Sequence, residues 1–277
     1  MRATAEEVAQ LDPYQLMSVL GKRVIHPGGS RSTEELFELA DIQAEDHVLE
    51  VGCGVGTTAI EIARRFGARV TAVDIDEEML EAARVNVRHA GFENKIELLN
   101  ADIQQLPFPS ETFNRVVIEA VTMFVNRDQA AGEVVRVCKF GGRVVDHEFI
   151  WRKSPPTEAR RAFMGEVCPG IDFDSPEDWR SLYERAGLKD IDLVTGPFAM
   201  MTPSGFVRDE GRNTPRVVLT AFSRLAYLRK LAWLMRRMWR AMPYLGYVVI
   251  GGVRVSNGST ESGNGTTLRL SCKALIV

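Results

Sequence analysis

Residues 48–76 read VLEVGCGVGTTAIEIARRFGARVTAVDID, and the parsing of this stretch decides the fold. An apolar run, Val48 to Val51, enters a cluster with glycine at 52, 54 and 56. A helix-patterned segment follows, then a second apolar run, Val70 to Val73, which ends on Asp74. That order is a strand, a glycine turn, a helix and a parallel strand with an acid at its tip. Glycines let a backbone approach a ligand where any Cβ would stand in the way. N–H groups at the helix start can face electron-rich ligand atoms. Asp74, 18 residues past Gly56, suits a pair of ribose hydroxyls.

Nucleoside cofactors in general use this pattern, so the details must discriminate. A dinucleotide fingerprint, GxGxxG, would place its third glycine at position 57, which is Thr57. The spacing is GxGxG instead, with Glu50 just before it. Further on come NADIQQLPF, Asn100 to Phe108, and FNRVVIEAV, Phe113 to Val121. Four such elements in this order resemble the class I S-adenosylmethionine-dependent methyltransferases, over roughly residues 30–150. The resemblance implies an α/β fold: a doubly wound, Rossmann-like, seven-stranded and mostly parallel sheet with helical cap insertions. It implies S-adenosyl-L-methionine as cofactor and a small-molecule acceptor. Glu50, Gly52, Gly54 and Gly56 would lie near the methionine moiety, Asp74 and Ile75 at the ribose. Asp102, at a strand tip, can accept from the adenine amino group, and Ile103 can cover the ring. Two rivals stay open. One is an NAD(P)-dependent oxidoreductase, against which Thr57 speaks. The other is a non-catalytic cofactor-binding module that docks a partner.

Candidate catalytic groups sit at the ends of later strands. Glu119 follows the fourth strand, Val116 to Ile118, and ligands of open α/β sheets lie outside the carboxyl ends of the strands. It can orient the cofactor, accept a proton from the acceptor, or cap the next helix. Some methyltransferases of base amino groups carry NPPY or DPPY here. This chain has EAVT, which argues against nucleic acid as substrate. The fifth strand, Arg143 to Ile150, carries Asp146, His147 and Glu148 in its outer half. Polar residues late in a buried parallel strand need a reason. Alternation sends Asp146 and Glu148 to one side and His147 to the other. His147 is the first choice of base, with Glu148 and Glu119 behind it; the competing reading is a satisfied core histidine. No metal site is expected.

The leader, residues 1–30, carries helix-like spacing from Thr4 to Val24 broken by Pro13, then the turn HPGGS. By the same resemblance it folds over the cleft, with Tyr14 and His26 as pocket candidates; an exposed helix and an inert turn are the alternatives. Ser32 followed by Glu35 reads as a capping box for the next helix. The leader is acidic and lacks an apolar core, so it does not read as a signal peptide. No apolar run is long enough to span a bilayer. The four cysteines (53, 138, 168, 272) contain no CxxC pair and read as reduced thiols of a cytoplasmic protein.

Residues 31–197 with 245–255 are expected to form the cofactor-binding core, 198–244 a helical insertion, and 256–277, rich in glycine and polar residues, a flexible tail. Aromatic and methionine residues around the inserts, Phe149, Trp151, Phe163, Phe173, Phe198, Met200 and Met201, suit either an apolar acceptor or a plain core. The net charge of −3 hides a split: residues 211–277 hold 11 Lys/Arg and one acid, residues 1–210 hold 23 and 36. Within the basic part, 217–242 reads as one long helix. Arg229, Lys230, Arg236, Arg237 and Arg240 share one arc with Trp233, and Leu225, Leu228, Leu231, Met235, Met238 and Trp239 face the other way. That arc suits peripheral contact with an anionic membrane, an acidic partner, or a solvated face. The oligomeric state cannot be read from the sequence.

Overall fold

The structure, a computed structural model, describes residues 4–256. The leader forms α1 (Ala5–Gln10) and α2 (Pro13–Val19), with Pro13 as the first residue of α2, where its missing N–H costs nothing. Next come α3 (Ser30–Ala40), β1 (His47–Val51), α4 (Thr57–Phe66), β2 (Arg69–Asp74), α5 (Glu77–Ala90), β3 (Ile96–Asn100) and β4 (Phe113–Glu119). They are followed by α6 (Arg127–Val137), β5 (Cys138–Trp151), α7 (Thr157–Arg160), which continues as a π-helical turn over Arg161–Val167, α8 (Pro176–Ala186) and β6 (Leu188–Pro197). The cap holds α9 (Pro203–Glu210), α10 (Thr214–Phe222) and α11 (Leu225–Ala241), before β7 (Leu245–Arg254) closes the order.

Seven strands make one sheet in the order β3-β2-β1-β4-β5-β7-β6. β1 to β5 run parallel; β7 lies antiparallel between β5 and β6. Adjacent strand residues feed opposite faces, as the two-residue period requires. Val48, Val117 and Val145 join the cluster under α3, α4 and α5, whereas Leu49, Val116 and Val144 join the cluster under α6, α8 and the cap. Both faces are covered, which is why these strands read as continuous apolar runs.

The caps account for the helix limits. Asp76 accepts from the N–H groups of Glu78 and Met79 at the start of α5, and Gly91 ends that helix in the left-handed conformation. Two expectations fail. The proposed capping box at Ser32 is absent: α3 begins at Ser30, and Ser32 is buried with its hydroxyl donating to Gly29 O. The single helix over 217–242 is two, α10 and α11, because Arg224 turns extended (φ −146°, ψ 134°) and the Ser223 hydroxyl takes the carbonyl of Thr220. The side chain of Ser223 competes with the helical ladder, a break that neither glycine nor proline announces.

Leader and cap are tied together. Glu210 pairs with Lys22 at 3.4 Å, both side chains fully buried, and accepts from the Arg23 N–H at 3.0 Å. Asp209 accepts from the Ser30 N–H and hydroxyl at 3.1 and 2.9 Å. The tail expected beyond residue 256 lies outside the described residues.

Candidate active site

The loop after β1 is built from left-handed glycines. Gly52, Gly54 and Gly56 have φ of 73°, 51° and 79°, a region that side chains disfavour. A Cβ on Gly52 would fall 2.1 Å from Val121 Cγ2, and one on Gly54 would meet nothing within 4 Å, so Gly54 borders open space. The Gly52 and Cys53 N–H groups donate to Val73 O at 2.8 and 3.0 Å, and the Gly54 N–H donates to Asp74 Oδ2 at 2.7 Å. The glycine loop is thereby fastened to the tip of β2. Gly56, counted with the ligand-facing glycines in the sequence, does not line the cavity. A Cβ there would lie 3.2 Å from Ala83 Cβ, so it lets α4 start close to α5.

Above this loop, at the carboxyl ends of the strands, lies a cavity of about 670 Å³, within the roughly 300–1,000 Å³ typical of small-ligand sites. Gly52, Gly54, Asp74 and Asp102 all line it. The Asp74 carboxylate accepts from the Gly54 and Asp76 N–H groups, at 2.7 and 2.9 Å, and Asp102 Oδ1 accepts from the Gln104 N–H at 2.8 Å. Each carboxylate is fixed by backbone and keeps further lone pairs. Ile103 is buried in the wall and Ile75, 69% exposed, stands at the rim. Glu50 also lines the cavity; its Oε2 is buried without a partner, and burial, with Glu119 and Asp74 close by, pushes its carboxyl well above the usual range. On the leader side, Tyr14, Val24, Ile25, Phe124 and Val125 supply apolar lining beside Asp12, Gln15, Ser18, Lys22 and Arg23, with the Tyr14 ring edge-on to Phe124 at 5.4 Å. The Tyr14 hydroxyl is buried and unpartnered. The aromatic residues around the inserts are core instead. Phe149, Trp151, Phe163 and Phe173 stack on one another with centroids 5.3–6.0 Å apart and do not line the cavity.

One polar cluster closes the floor. Glu119 accepts from the Thr33 hydroxyl at 3.0 Å and the Thr58 hydroxyl at 2.8 Å. His26 Nε2 and His147 Nδ1 approach Glu119 Oε1 from two sides, at 3.7 and 3.6 Å, and the two imidazoles meet edge to face at 4.9 Å. Burial raises the Glu119 carboxyl, but the two histidines and the Thr58 hydroxyl outweigh it and hold it down at about 2. Burial keeps His26 neutral, its imidazole lowered to about 4. The donor atoms of these three residues lie within 4.8 Å of one another, close enough to share one small cation.

His26, Glu119, Thr33 and Thr58 line the cavity, whereas His147 does not. It is fully buried behind Glu119, against Tyr247, and neither ring nitrogen has a partner. Asp146 and Glu148 point to the opposite face, as alternation required. The Tyr183 hydroxyl donates to Asp146 at 2.6 Å, and Glu148 Oε1 accepts from the Val121 and Thr122 N–H groups at 3.0 and 2.6 Å. Glu148 thus holds the loop after β4 and does not reach the cavity. Burial raises both carboxyls, Asp146 to about 6 and Glu148 well above its usual range. Thr33 and Thr58 went unremarked in the sequence. The available signal for Thr33 was its place seven residues after His26, past a PGG turn that reverses the chain.

A glycine loop fastened to an acid-tipped second strand, under a seven-stranded sheet with an antiparallel β7, defines a nucleoside-cofactor site of the methyltransferase type. Residues 48–142 match a family model described as a methyltransferase domain. The methyltransferase GfsG of Streptomyces halstedii is 32% identical over 197 residues, 70% of this chain and 67% of that one. The 27-O-demethylrifamycin SV methyltransferase of Amycolatopsis mediterranei is 28% identical over 163 residues, 58% of this chain and 60% of that protein. Phosphoethanolamine N-methyltransferase 2 of Haemonchus contortus, solved with S-adenosyl-L-methionine, superposes with a TM-score of 0.70 at 20% identity, covering 91% of this chain and 58% of that one. The chain belongs to the class I S-adenosylmethionine-dependent methyltransferases. It is an enzyme, and its cofactor is S-adenosyl-L-methionine.

Proposed function

We propose that the enzyme methylates a small, apolar acceptor held between the leader and the glycine loop. The observation that carries this reading is the single cavity that joins Asp74, Asp102 and Gly54 to the apolar lining of Tyr14, Ile25 and Phe124. Relatives named for 27-O-demethylrifamycin SV and for sterol 24-C methylation act on acceptors of this kind, which supports the same conclusion. A lipid contact through 217–242 would place the enzyme beside such acceptors, although none of those residues lines the cavity.

The residues present fit the cofactor. Gly54 borders the open space that a bulkier residue would take. Asp74 would hold the ribose hydroxyls with Ile75 at the rim, Asp102 would take the adenine amino group, and Ile103 would cover the ring. Ionised Glu119 gives the floor a negative potential that favours a cation. S-adenosyl-L-methionine supplies a methyl group already activated by its sulfonium. The chain therefore needs to align the acceptor and keep water out. Phe124 and Tyr14 do both from the leader side. Where the acceptor atom carries a proton, neutral His26 on the cavity wall takes it at the ring nitrogen not turned to Thr33 and Glu119, and ionised Glu119, 3.7 Å from Nε2, steadies the imidazolium that results. His147, in contact with both, is a positioning residue, and Glu148 acts one step further back, through the β4 loop.

Turnover to S-adenosylhomocysteine across matched panels of apolar and charged acceptors tests this. Hydroxylated polycyclic or prenylated compounds should be methylated; faster turnover of small charged amines would refute the apolar reading.

A further inference from the structure

The cap turns a distinctive face to solvent. On α11, Leu225, Ala232 and Trp239 recur every seven residues as one exposed row, with Arg229 and Arg236 one step round the helix. Leu225 is 61% and Trp239 75% exposed. On α10, Leu219 and Phe222 are 70% and 69% exposed, and Arg216 stands exposed beside them. Leu225 to Trp239 spans about 21 Å of helix. Residues 211–256 contain no acid.

The face expected from the sequence is corrected here. Lys230 donates to Ala9 O, Arg237 pairs with Glu166, and both flank the ring of Trp233, which packs on the core. Those three residues serve the fold. Trp239, assigned to the packed side, is the tryptophan that stands in water. Leu234, Met238 and Ala241 form the buried stripe.

Single exposed apolar residues are ordinary. A row of them bordered by arginines, in a stretch of chain that itself carries no acid, is the pattern of a helix that lies in a lipid interface. Duplex or single-stranded nucleic acid would satisfy the arginines but leave Leu219, Phe222 and Leu225 in water. We infer that α10 and α11 dock the enzyme on an anionic bilayer surface. Phe222, Leu225 and Trp239 enter the boundary between headgroups and acyl chains, and Arg229, Arg236 and Arg240 meet lipid phosphates. This deepens the reading of an acceptor drawn from lipid, but its contacts do not depend on which acceptor is methylated.

The test is sedimentation of the full chain with vesicles of phosphatidylcholine alone or mixed with phosphatidylglycerol, with turnover of a water-soluble acceptor measured on the same samples. Binding is expected to the anionic vesicles and to weaken in high salt. The variant Arg229→Gln/Arg236→Gln/Arg240→Gln should bind roughly a hundredfold more weakly, since each arginine near such a surface contributes about a factor of five. Leu225→Ala/Trp239→Ala should also release the protein, with turnover unchanged. Equal absence from both vesicle pellets overturns the proposal, as does binding that ignores these substitutions. So does a dimer in solution that Trp239→Ala dissociates while lipid binding persists. Loss of turnover with intact vesicle binding would count against the methyltransferase site instead, and leave the docking face standing.

Discussion

Asp74 carries two duties at once. It receives the Gly54 and Asp76 N–H groups and faces the cavity. Asp74→Ala should weaken S-adenosyl-L-methionine binding by about tenfold to a hundredfold, the range for hydrogen bonds to a charged group, as read by calorimetric titration. His26 makes a pH prediction. Its folded pKa, about 4, lies below the usual imidazole value, so the unfolded chain takes up the proton first as pH falls. The stability it contributes is complete above about pH 6.5 and is lost towards pH 4, roughly 2 kcal/mol of it by pH 5. Urea midpoints of the wild type should therefore drop more between pH 7 and 5 than those of His26→Gln. In the sequence His26 read first as part of an inert turn. Its partners, Thr33, Glu119 and His147, lie 7, 93 and 121 residues away, and no local pattern reports such a meeting. The cavity-lining acids at 74 and 102 were legible because they lie at the ends of strands whose direction the apolar runs had set.

At the scale of the element, β5 feeds both sides of the sheet with buried acids and a histidine. Burial and Asp146 nearby push the Glu148 carboxyl well above its usual range. A carboxyl whose folded pKa is raised stabilises at low pH and loses that contribution as pH rises above its unfolded value. Glu148→Gln cannot ionise, so its melting temperature relative to wild type should climb between pH 5 and 8; a flat difference would remove the argument. The elements themselves were largely visible in the sequence, since each strand of the parallel core is an apolar run closed by a turn residue. The break between α10 and α11 was not, because Ser223–Arg224 contains no helix breaker and the extended Arg224 answers to packing. Helical periodicity grouped the basic residues into one arc, but which of them face solvent depends on where the leader and the π-helical turn lie: Lys230 and Arg237 turn to those elements, and Trp239 stands in water.

For the whole molecule, the leader and the cap are fastened to each other by the buried ion pair of Lys22 and Glu210. Glu210→Ala strands a buried ammonium, a loss of roughly 3–5 kcal/mol for that contact. Limited proteolysis within residues 11–30 should accelerate, and the KM for the acceptor should rise more than the affinity for S-adenosyl-L-methionine falls. The seven-stranded core was readable at this scale, and the leader and cap were expected as separate segments, but the tie between them was not, since its partners lie about 190 residues apart in the chain. The placement of β7 between β5 and β6 governs how the molecule is made. Until residue 254 has left the ribosome, two strand edges stand open in the nascent chain, one of them bearing Asp146, His147 and Glu148. Unpaired edges invite wrong partners, so maturation of this enzyme hinges on β7 arriving before a neighbouring polypeptide does.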